Sequence, residues 1–174
     1  MAKSRVATVW LDGCSGCHMS IFDMDERLLD LADKIELVYS PLVDAKEYPE
    51  NVDIVLVEGA VGDEEQRELA HKIRKRTKTF ISLGDCAVTS NILAYRNTFR
   101  VADVINRVFV ETAEGGTSQP SKDIPTLLPY AVPVHEIVGV DIYIPGCPPP
   151  ADLIYYVLAE LLEERQPEFK NRFG

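Results

Sequence analysis

The sequence predicts an α/β protein whose single domain is built on a doubly wound parallel sheet of about five strands. Short apolar segments typical of buried strands alternate along the chain with longer segments that have helical periodicity. Prolines and glycines end several of the apolar segments, and a length of 174 residues suits one domain with its own core. Five strands that alternate with helices favour a flavodoxin-like strand order.

The strands are predicted where apolar residues run together and a breaker follows. The second strand stops before Pro41, and the third ends at the sequence Glu-Gly-Ala. The predicted strands are residues 6–11, 35–39, 54–57, 79–83 and 140–144. The predicted helices are residues 18–33, 64–75, a segment after Cys86, 100–107 and 151–164. The first helix is indicated by apolar residues near helical spacing, namely Ile21, Phe22, Leu28, Leu29 and Ala32.

Residues 111–135 do not follow this pattern, because they contain four prolines and little periodicity. Most connections between elements are about 4–6 residues long, so this segment is too long for a simple connector. It is either a surface loop without regular structure or a loop that docks on a partner. We predict a docking loop, because several of its residues are too apolar to leave in water: Leu127, Leu128, Tyr130, Val132 and Val134.

Composition excludes several classes of function. A formal net charge of −10 argues against binding nucleic acid, whose phosphates require a basic face. No segment approaches the roughly 18–20 apolar residues of a membrane span. The N-terminal sequence Met-Ala-Lys-Ser-Arg-Val-Ala has neither an apolar signal region nor a twin-arginine pair, so we expect a cytoplasmic protein. Cysteines in that compartment indicate metal or redox chemistry more often than disulfides.

The four cysteines of the chain are placed where one iron–sulfur cluster would need them. Cys14 and Cys17 follow the first predicted strand, Cys86 follows the fourth and Cys147 follows the fifth. The carboxyl ends of parallel strands meet along one edge of a sheet, so these loops can converge although they are far apart in sequence. Four thiolates are the usual ligands of a 4Fe–4S centre, and the pattern therefore predicts one such cluster.

Other interpretations of the cysteines remain. A Cys-x-x-Cys pair alone is also found in thioredoxin-like redox sites and zinc sites, but a dithiol would not explain Cys86 or Cys147. A structural zinc site usually has two close pairs, whereas here the last two cysteines stand alone. Cys86 and Cys147 are alternatively buried core thiols, although Cys-Pro-Pro-Pro after a strand is not typical of a core. The pattern favours an iron–sulfur cluster.

Residues beside the cysteines are candidates for supporting the cluster. Glycines let the backbone approach closely and adopt positive φ, and amides directed at sulfur raise a cluster's reduction potential. The candidate glycines are Gly13, Gly16, Gly84 and Gly146. Glu58 ends the third strand, on the same sheet edge as Cys86, and is either a hydrogen-bonding carboxylate near the cluster or an exposed loop residue. His18 directly follows Cys17 and is either a supporting donor or a solvated residue.

Four motifs together resemble the small subunit of nickel–iron hydrogenases along essentially the whole chain. They are Cys-Ser-Gly-Cys-His-Met-Ser, Val-Glu-Gly-Ala, Gly-Asp-Cys-Ala and Pro-Gly-Cys-Pro-Pro. The resemblance is greatest to the cytoplasmic, bidirectional, NAD-reducing group. It implies that Cys14, Cys17, Cys86 and Cys147 hold the proximal 4Fe–4S cluster. It also implies a partner large subunit with the nickel–iron centre, and diaphorase subunits that carry FMN and reduce NAD.

The chain also departs from related subunits. Uptake hydrogenase small subunits add a domain with two more clusters, whereas this chain has no cysteine after Cys147, so we expect one cluster. They place a glutamate where Gly13 stands, and a proton route through that glutamate is not transferable. The related subunit of NADH:quinone oxidoreductase has adjacent cysteines where Ser15 and Gly16 intervene here, which favours hydrogenase. The alternatives are a quinone reductase subunit and a zinc-bound interaction module. We expect no flavin in this chain, because its first loop carries cysteines where a flavodoxin has the residues that bind the flavin phosphate.

Overall fold

The computed structural model describes residues 3–114 and 124–169. Its strands are β1 (Ser4–Trp10), β2 (Ile35–Tyr39), β3 (Val52–Glu58), β4 (Val61–Asp63), β5 (Thr77–Leu83), β6 (Leu127–Val132) and β7 (Ile142–Ile144). Its α-helices are α1 (Gly16–Phe22), α2 (Arg27–Ala32), α3 (Glu64–Arg76), α4 (Gly84–Thr89), α5 (Val101–Asn106) and α6 (Ala151–Leu162). Two 3₁₀ helices (Asn91–Thr98 and Val134–Glu136) and one π-helical turn (Arg107–Glu111) complete the described elements.

The central sheet confirms the predicted fold class. Five strands pair in parallel in the order β2-β1-β3-β5-β7, which is the flavodoxin-like arrangement. All five therefore end at the same edge of the sheet. The loops after β1, β5 and β7, which carry the cysteines, and the end of β3, which carries Glu58, lie along that edge.

The sheet is buried on both faces, as a parallel sheet requires. Alternate residues of β3 show this, because Val55 and Val57 belong to one apolar cluster while Ile54 and Leu56 belong to the other. Helix α3 packs on the first face, and α1, α2 and α6 pack on the second. Glu58 has the same parity as Leu56, so its side chain is directed to the face that α1 covers.

The predicted helix over residues 18–33 is two helices. Helix α1 ends at Phe22, and the chain turns through Asp25, which has a φ of 50°, before α2 begins at Arg27. This turn lets the Met24 side chain enter the core, where it is 1% exposed. The apolar residues of this segment therefore belong to two short helices and do not form the continuous apolar face of one helix.

Part of the predicted docking loop is regular structure. Strand β6 pairs antiparallel with β4 and forms a second, two-stranded sheet. Leu128 is only 6% exposed and joins the core, so it is not available to dock on a partner, whereas Tyr130 is 60% exposed. Residues 115–123 of the predicted loop lie outside the described residues. Over the residues that are described, no helix has the length and apolar character needed to cross a membrane.

Candidate metal centre

The four cysteines come to the carboxyl edge of the sheet from three strand–helix connections. Cys14 follows β1, Cys17 lies in the first turn of α1, Cys86 lies in the first turn of α4, and Cys147 lies between β7 and α6. None of them forms a disulfide. Cys17 is buried, Cys86 is partly buried, and Cys14 and Cys147 are exposed, so the group opens to the protein surface on one side.

Hydrogen bonds between the loops fix their relative positions. The backbone N–H of Asp85 donates to the carbonyl of Gly146 at 2.9 Å, and the N–H of Gly146 donates to Asp85 Oδ1 at 2.7 Å. The hydroxyl of Ser20 in α1 donates to the carbonyl of Pro149 at 2.5 Å. The elements that carry Cys17, Cys86 and Cys147 are therefore tied together directly, not only through the sheet.

Two of the predicted glycines are required by the backbone and by space. Gly84 has a φ of 82°, and a Cβ built there would overlap the sulfur of Cys17. Gly146 has a φ of 138°, and its Cβ would lie 2.5 Å from the Cα of Pro149. Both conformations favour glycine strongly. The amide of Gly146 donates to Asp85, however, so it does not have the expected role of an amide directed at sulfur.

Gly13 and Gly16 also lie at the site but are less constrained. A Cβ on Gly16 would lie 3.3 Å from the sulfur of Cys14, and one on Gly13 would lie 3.3 Å from the Cα of Gly59. Neither has a positive φ among the described residues. These two positions are close-packed, and the packing at Gly16 is against a cysteine.

Glu58 and His18, which sequence analysis considered separately, form one buried pair. The Glu58 carboxylate is 2% exposed and accepts hydrogen bonds from the His18 backbone N–H at 2.7 Å and from His18 Nδ1 at 2.6 Å. His18 is itself 7% exposed, and its Nε2 has no hydrogen-bond partner among the described residues. Glu58 is therefore not an exposed loop residue, and it anchors the start of α1 immediately after Cys17.

The electrostatics of the site suit a cationic group. Burial, and then the negative charges of Glu58 and the other three cysteines, raise the pKa of the Cys17 thiol to about 12. Burial and neighbouring cysteines also raise the pKa of Cys86. Bare thiolates are thus disfavoured here unless positive charge enters with a metal. Four thiols at one edge of the sheet match the number and type of ligands of a 4Fe–4S cluster, and the residues fit that group.

Asn91 is a site residue that sequence analysis missed. Its Nδ2 lies 3.5 Å from the sulfur of Cys147, within the range of a hydrogen bond to sulfur. The two residues are far apart in sequence, and the only local signal is a Ser-Asn pair just after α4.

In residues 3–114 and 124–169, no three His, Cys, Asp or Glu side chains are arranged to hold a single metal ion.

Comparison with known proteins gives the class of this protein. The family described as "NADH ubiquinone oxidoreductase, 20 Kd subunit" matches residues 14–161, which is most of the chain. The chain belongs to this family. The four cysteines, the buried Glu58 and most of the described core lie within the matched segment.

Within the family, the chain resembles hydrogenase subunits, as its motifs predicted. It is 40% identical to the NAD-reducing hydrogenase HoxS subunit delta of Cupriavidus necator, over 98% of this chain and 86% of that protein. A crystal structure of an NAD⁺-reducing [NiFe]-hydrogenase in the H₂-reduced state contains a chain that is 40% identical. That chain superposes with a TM-score of 0.94, over 99% of this chain and 98% of the other. The resemblance to the small subunit of NAD-reducing hydrogenases is confirmed.

Other similar proteins are matched over only part of their own length. The chain is 35% identical to the G polypeptide of the vhu F420-non-reducing hydrogenase of Methanocaldococcus jannaschii, over 97% of its own residues but only 59% of that protein. A chain of the [NiFeSe]-hydrogenase of Dm. baculatum is 19% identical with a TM-score of 0.61, over 98% of this chain and 68% of the other. The second likeness shows a common fold.

Proposed function

We propose that this chain is the electron-transfer subunit of a cytoplasmic NAD-reducing hydrogenase. Cys14, Cys17, Cys86 and Cys147 bind one 4Fe–4S cluster, and this cluster lies proximal to the nickel–iron site of a partner large subunit. Further partner subunits, which carry flavin and iron–sulfur groups, reduce NAD. The similarity to HoxS subunit delta and to the NAD⁺-reducing [NiFe]-hydrogenase chain supports this assignment.

The observation that carries the proposal is that four free cysteines, from three strand–helix connections, lie at one edge of the sheet. Each loop is held in place by contacts other than the metal: the Glu58 carboxylate holds α1, and Asp85 and Gly146 hold each other. Such a frame keeps four thiols together before the cluster binds. When bound, a 4Fe–4S cluster would supply one-electron transfer.

The exposed side of the site is suited to a partner. Cys14 and Cys147 are exposed, and Trp10, which is 49% exposed, donates from Nε1 to the carbonyl of Gly13 at 3.1 Å. Met19 and Ile92, which lie close in sequence to Cys17 and Asn91, are 59% and 62% exposed. Apolar side chains beside a redox group favour a covering subunit, since they would otherwise remain in water.

A second kind of complex is a candidate host for this chain. The family takes its description from an NADH ubiquinone oxidoreductase subunit, so a quinone reductase-like complex is the alternative host for the same cluster. We favour hydrogenase because Ser15 and Gly16 separate the first two cysteines and because the relatives with 35–40% identity are hydrogenase subunits. Nothing in the described residues specifically favours the zinc-bound interaction module.

The proposal is tested by isolating the chain from its native cell extract together with the proteins that accompany it. Iron, sulfide and nickel analysis, low-temperature EPR of the reduced complex and assays of hydrogen-dependent NAD⁺ reduction are the measurements. We expect nickel in the complex and hydrogen-dependent NAD⁺ reduction in the soluble extract. We also expect a 4Fe–4S EPR signal that Cys86→Ala abolishes, which assigns the signal to this chain. Reduction of quinone without nickel would favour the alternative, and a full cluster in Cys86→Ala would overturn the ligand assignment.

A further inference from the structure

Asn91 lies against one of the four cysteines, Cys147. Its side-chain Nδ2 is 3.5 Å from Cys147 Sγ, within the range of a hydrogen bond to sulfur. Since an amide N–H only donates, it favours negative charge on the sulfur that it contacts.

The backbone around Asn91 is in a conformation that most residues avoid. Ser90 and Asn91 have φ values of 62° and 39°, two consecutive non-glycine residues in the left-handed region. The N–H of Ser90 donates to the carbonyl of Cys86 at 3.1 Å, and Leu93 N–H donates to the Ser90 carbonyl at 3.0 Å, so the turn is tied to a cysteine on one side and to the following 3₁₀ helix on the other. Glycine would adopt this turn more easily, but it would place no amide beside Cys147.

The other expected donor at this cysteine is already occupied. Gly146 directly precedes Cys147, and the sequence predicted that its amide is directed at sulfur. It donates instead to Asp85 Oδ1 at 2.7 Å, where it holds the two loops together. The Asn91 side chain thus supplies at Cys147 the donor that the backbone does not.

We propose that Asn91 is a positioning residue that donates a hydrogen bond to the ligand sulfur of Cys147 and thereby raises the reduction potential of the cluster. The inference rests on the proposed function, because it requires one cluster on these four cysteines. A donor to sulfur stabilises the reduced cluster more than the oxidised one, because the reduced cluster carries more negative charge.

The test is a redox titration of the intact complex, followed by EPR, with iron content and resonance Raman spectra of the iron–sulfur stretches as independent readouts. Asn91→Gly keeps the turn and removes the amide, and Asn91→Leu removes the amide but keeps the bulk. We expect both to shift the redox equilibrium about tenfold toward the oxidised cluster, the effect of one hydrogen bond to a charged group. Asn91→Gln, which retains a donor, restores part of the shift. Asn106→Leu is the control, because Asn106 donates to Glu111, away from the cysteines.

The outcomes separate this inference from the proposed function. If the wild-type complex holds no 4Fe–4S cluster, the proposed function fails. If it holds one and Asn91→Gly leaves the midpoint potential and Raman bands unchanged, only the role of Asn91 is wrong. Loss of the cluster from Asn91→Gly in a complex that still assembles would also overturn the inference, because the side chain would then be needed to build the site rather than to set its potential.

Discussion

The carboxylate of Glu58 accepts two hydrogen bonds from a single residue, His18, through the backbone N–H at 2.7 Å and through Nδ1 at 2.6 Å. Glu58 ends β3 and His18 lies in α1, directly after Cys17, so the pair joins the central strand of the sheet to the first cysteine-bearing loop. Both side chains are buried, and the carboxylate is among the groups that raise the pKa of Cys17. The pair therefore bears on both the shape and the charge of the site.

Replacing Glu58 should change stability and potential in separable ways. Glu58→Leu leaves two buried donors of His18 without an acceptor, and we expect the free energy of unfolding to fall by about 2–4 kcal/mol. Glu58→Gln keeps an acceptor and removes the charge, so the loss should be smaller while the cluster potential rises. Denaturant unfolding and redox titration of the complex measure the two effects.

The control for Glu58 is Glu36→Gln, because Glu36 is exposed on β2, where it pairs with Arg5 at 3.7 Å. It should change neither quantity. An unchanged potential in Glu58→Gln would limit Glu58 to the structural role of anchoring α1.

The Gly84 position should not tolerate any side chain. Its φ of 82° and the overlap of a built Cβ with the sulfur of Cys17 mean that Gly84→Ala must move either the strand end or the Cys17 side chain. We expect most of the cluster to be lost, seen as a fall in iron and sulfide per chain. Gly139→Ala is the matched control, since a Cβ there would have no heavy atom within 4 Å. Equal iron content in the two variants would contradict this account of the site.

The sequence was sufficient to predict the strands, which apolar runs mark, and the edge of the sheet on which the cysteines lie. Apolar runs identified all five strands of the central sheet, and the ends of β1, β5 and β7 brought Cys14, Cys17, Cys86 and Cys147 to one edge. The break between α1 and α2 was not predicted, because it depends on Met24 entering the core. The helical spacing of the apolar residues does not reveal that turn.

Non-local contacts account for what was missed at the site. Asn91 contacts Cys147 only because β5 and β7 are neighbours in the sheet, and no local pattern marks that contact. Likewise, the direction of the Gly146 amide toward Asp85 follows from the packing of two loops rather than from the glycine itself. Strand β6 was interpreted as loop because Pro129 and the prolines near it obscured a pairing with β4, which lies far from it in sequence.

The thiols should react unequally in the isolated, cluster-free chain, where no partner covers the cysteine edge. The pKa of Cys17 is raised to about 12, so its thiol stays protonated throughout the physiological range and gains reactivity only as pH rises toward that value. Cys17 is also buried, whereas Cys14 and Cys147 are exposed. We expect iodoacetamide to label Cys14 and Cys147 first and Cys17 last, measured by peptide mass spectrometry. Preferential labelling of Cys17 near neutral pH would contradict the burial and charge described above.

The same raised pKa predicts how cluster binding depends on pH. Binding displaces the proton of Cys17, and the free thiol holds that proton below about pH 12. Higher pH lowers the cost of this displacement, so cluster retention should increase as pH rises and decrease as it falls. Iron release into a chelator, followed at several pH values with the complex intact, measures this trend. Release that is independent of pH would mean that proton displacement does not limit binding.

Two residues of the predicted docking loop 111–135 have different surroundings: Leu128 is in the core and Tyr130 is on the surface. Leu128 is buried in the cluster that includes Val134 and Val138, so Leu128→Asp should lower the free energy of unfolding by about 3–5 kcal/mol. Tyr130 is 60% exposed and lines a shallow groove of about 500 Å³ with Phe99. Tyr130→Asp should leave the unfolding free energy within about 0.5 kcal/mol of wild type, as surface changes usually do.

If this face docks on a partner, Tyr130→Asp should weaken assembly although the chain stays folded, because it would place a charge in an apolar contact from which water is excluded. Co-purification of the complex from cells that express the variant measures assembly, and circular dichroism of the recovered chain confirms that it is folded. Glu136→Lys is the control, because it changes charge on an exposed turn a few residues away. Full assembly with Tyr130→Asp would remove the β6 face from the interface and leave the cysteine edge, with Trp10 and Met19, as the surface that the partner covers.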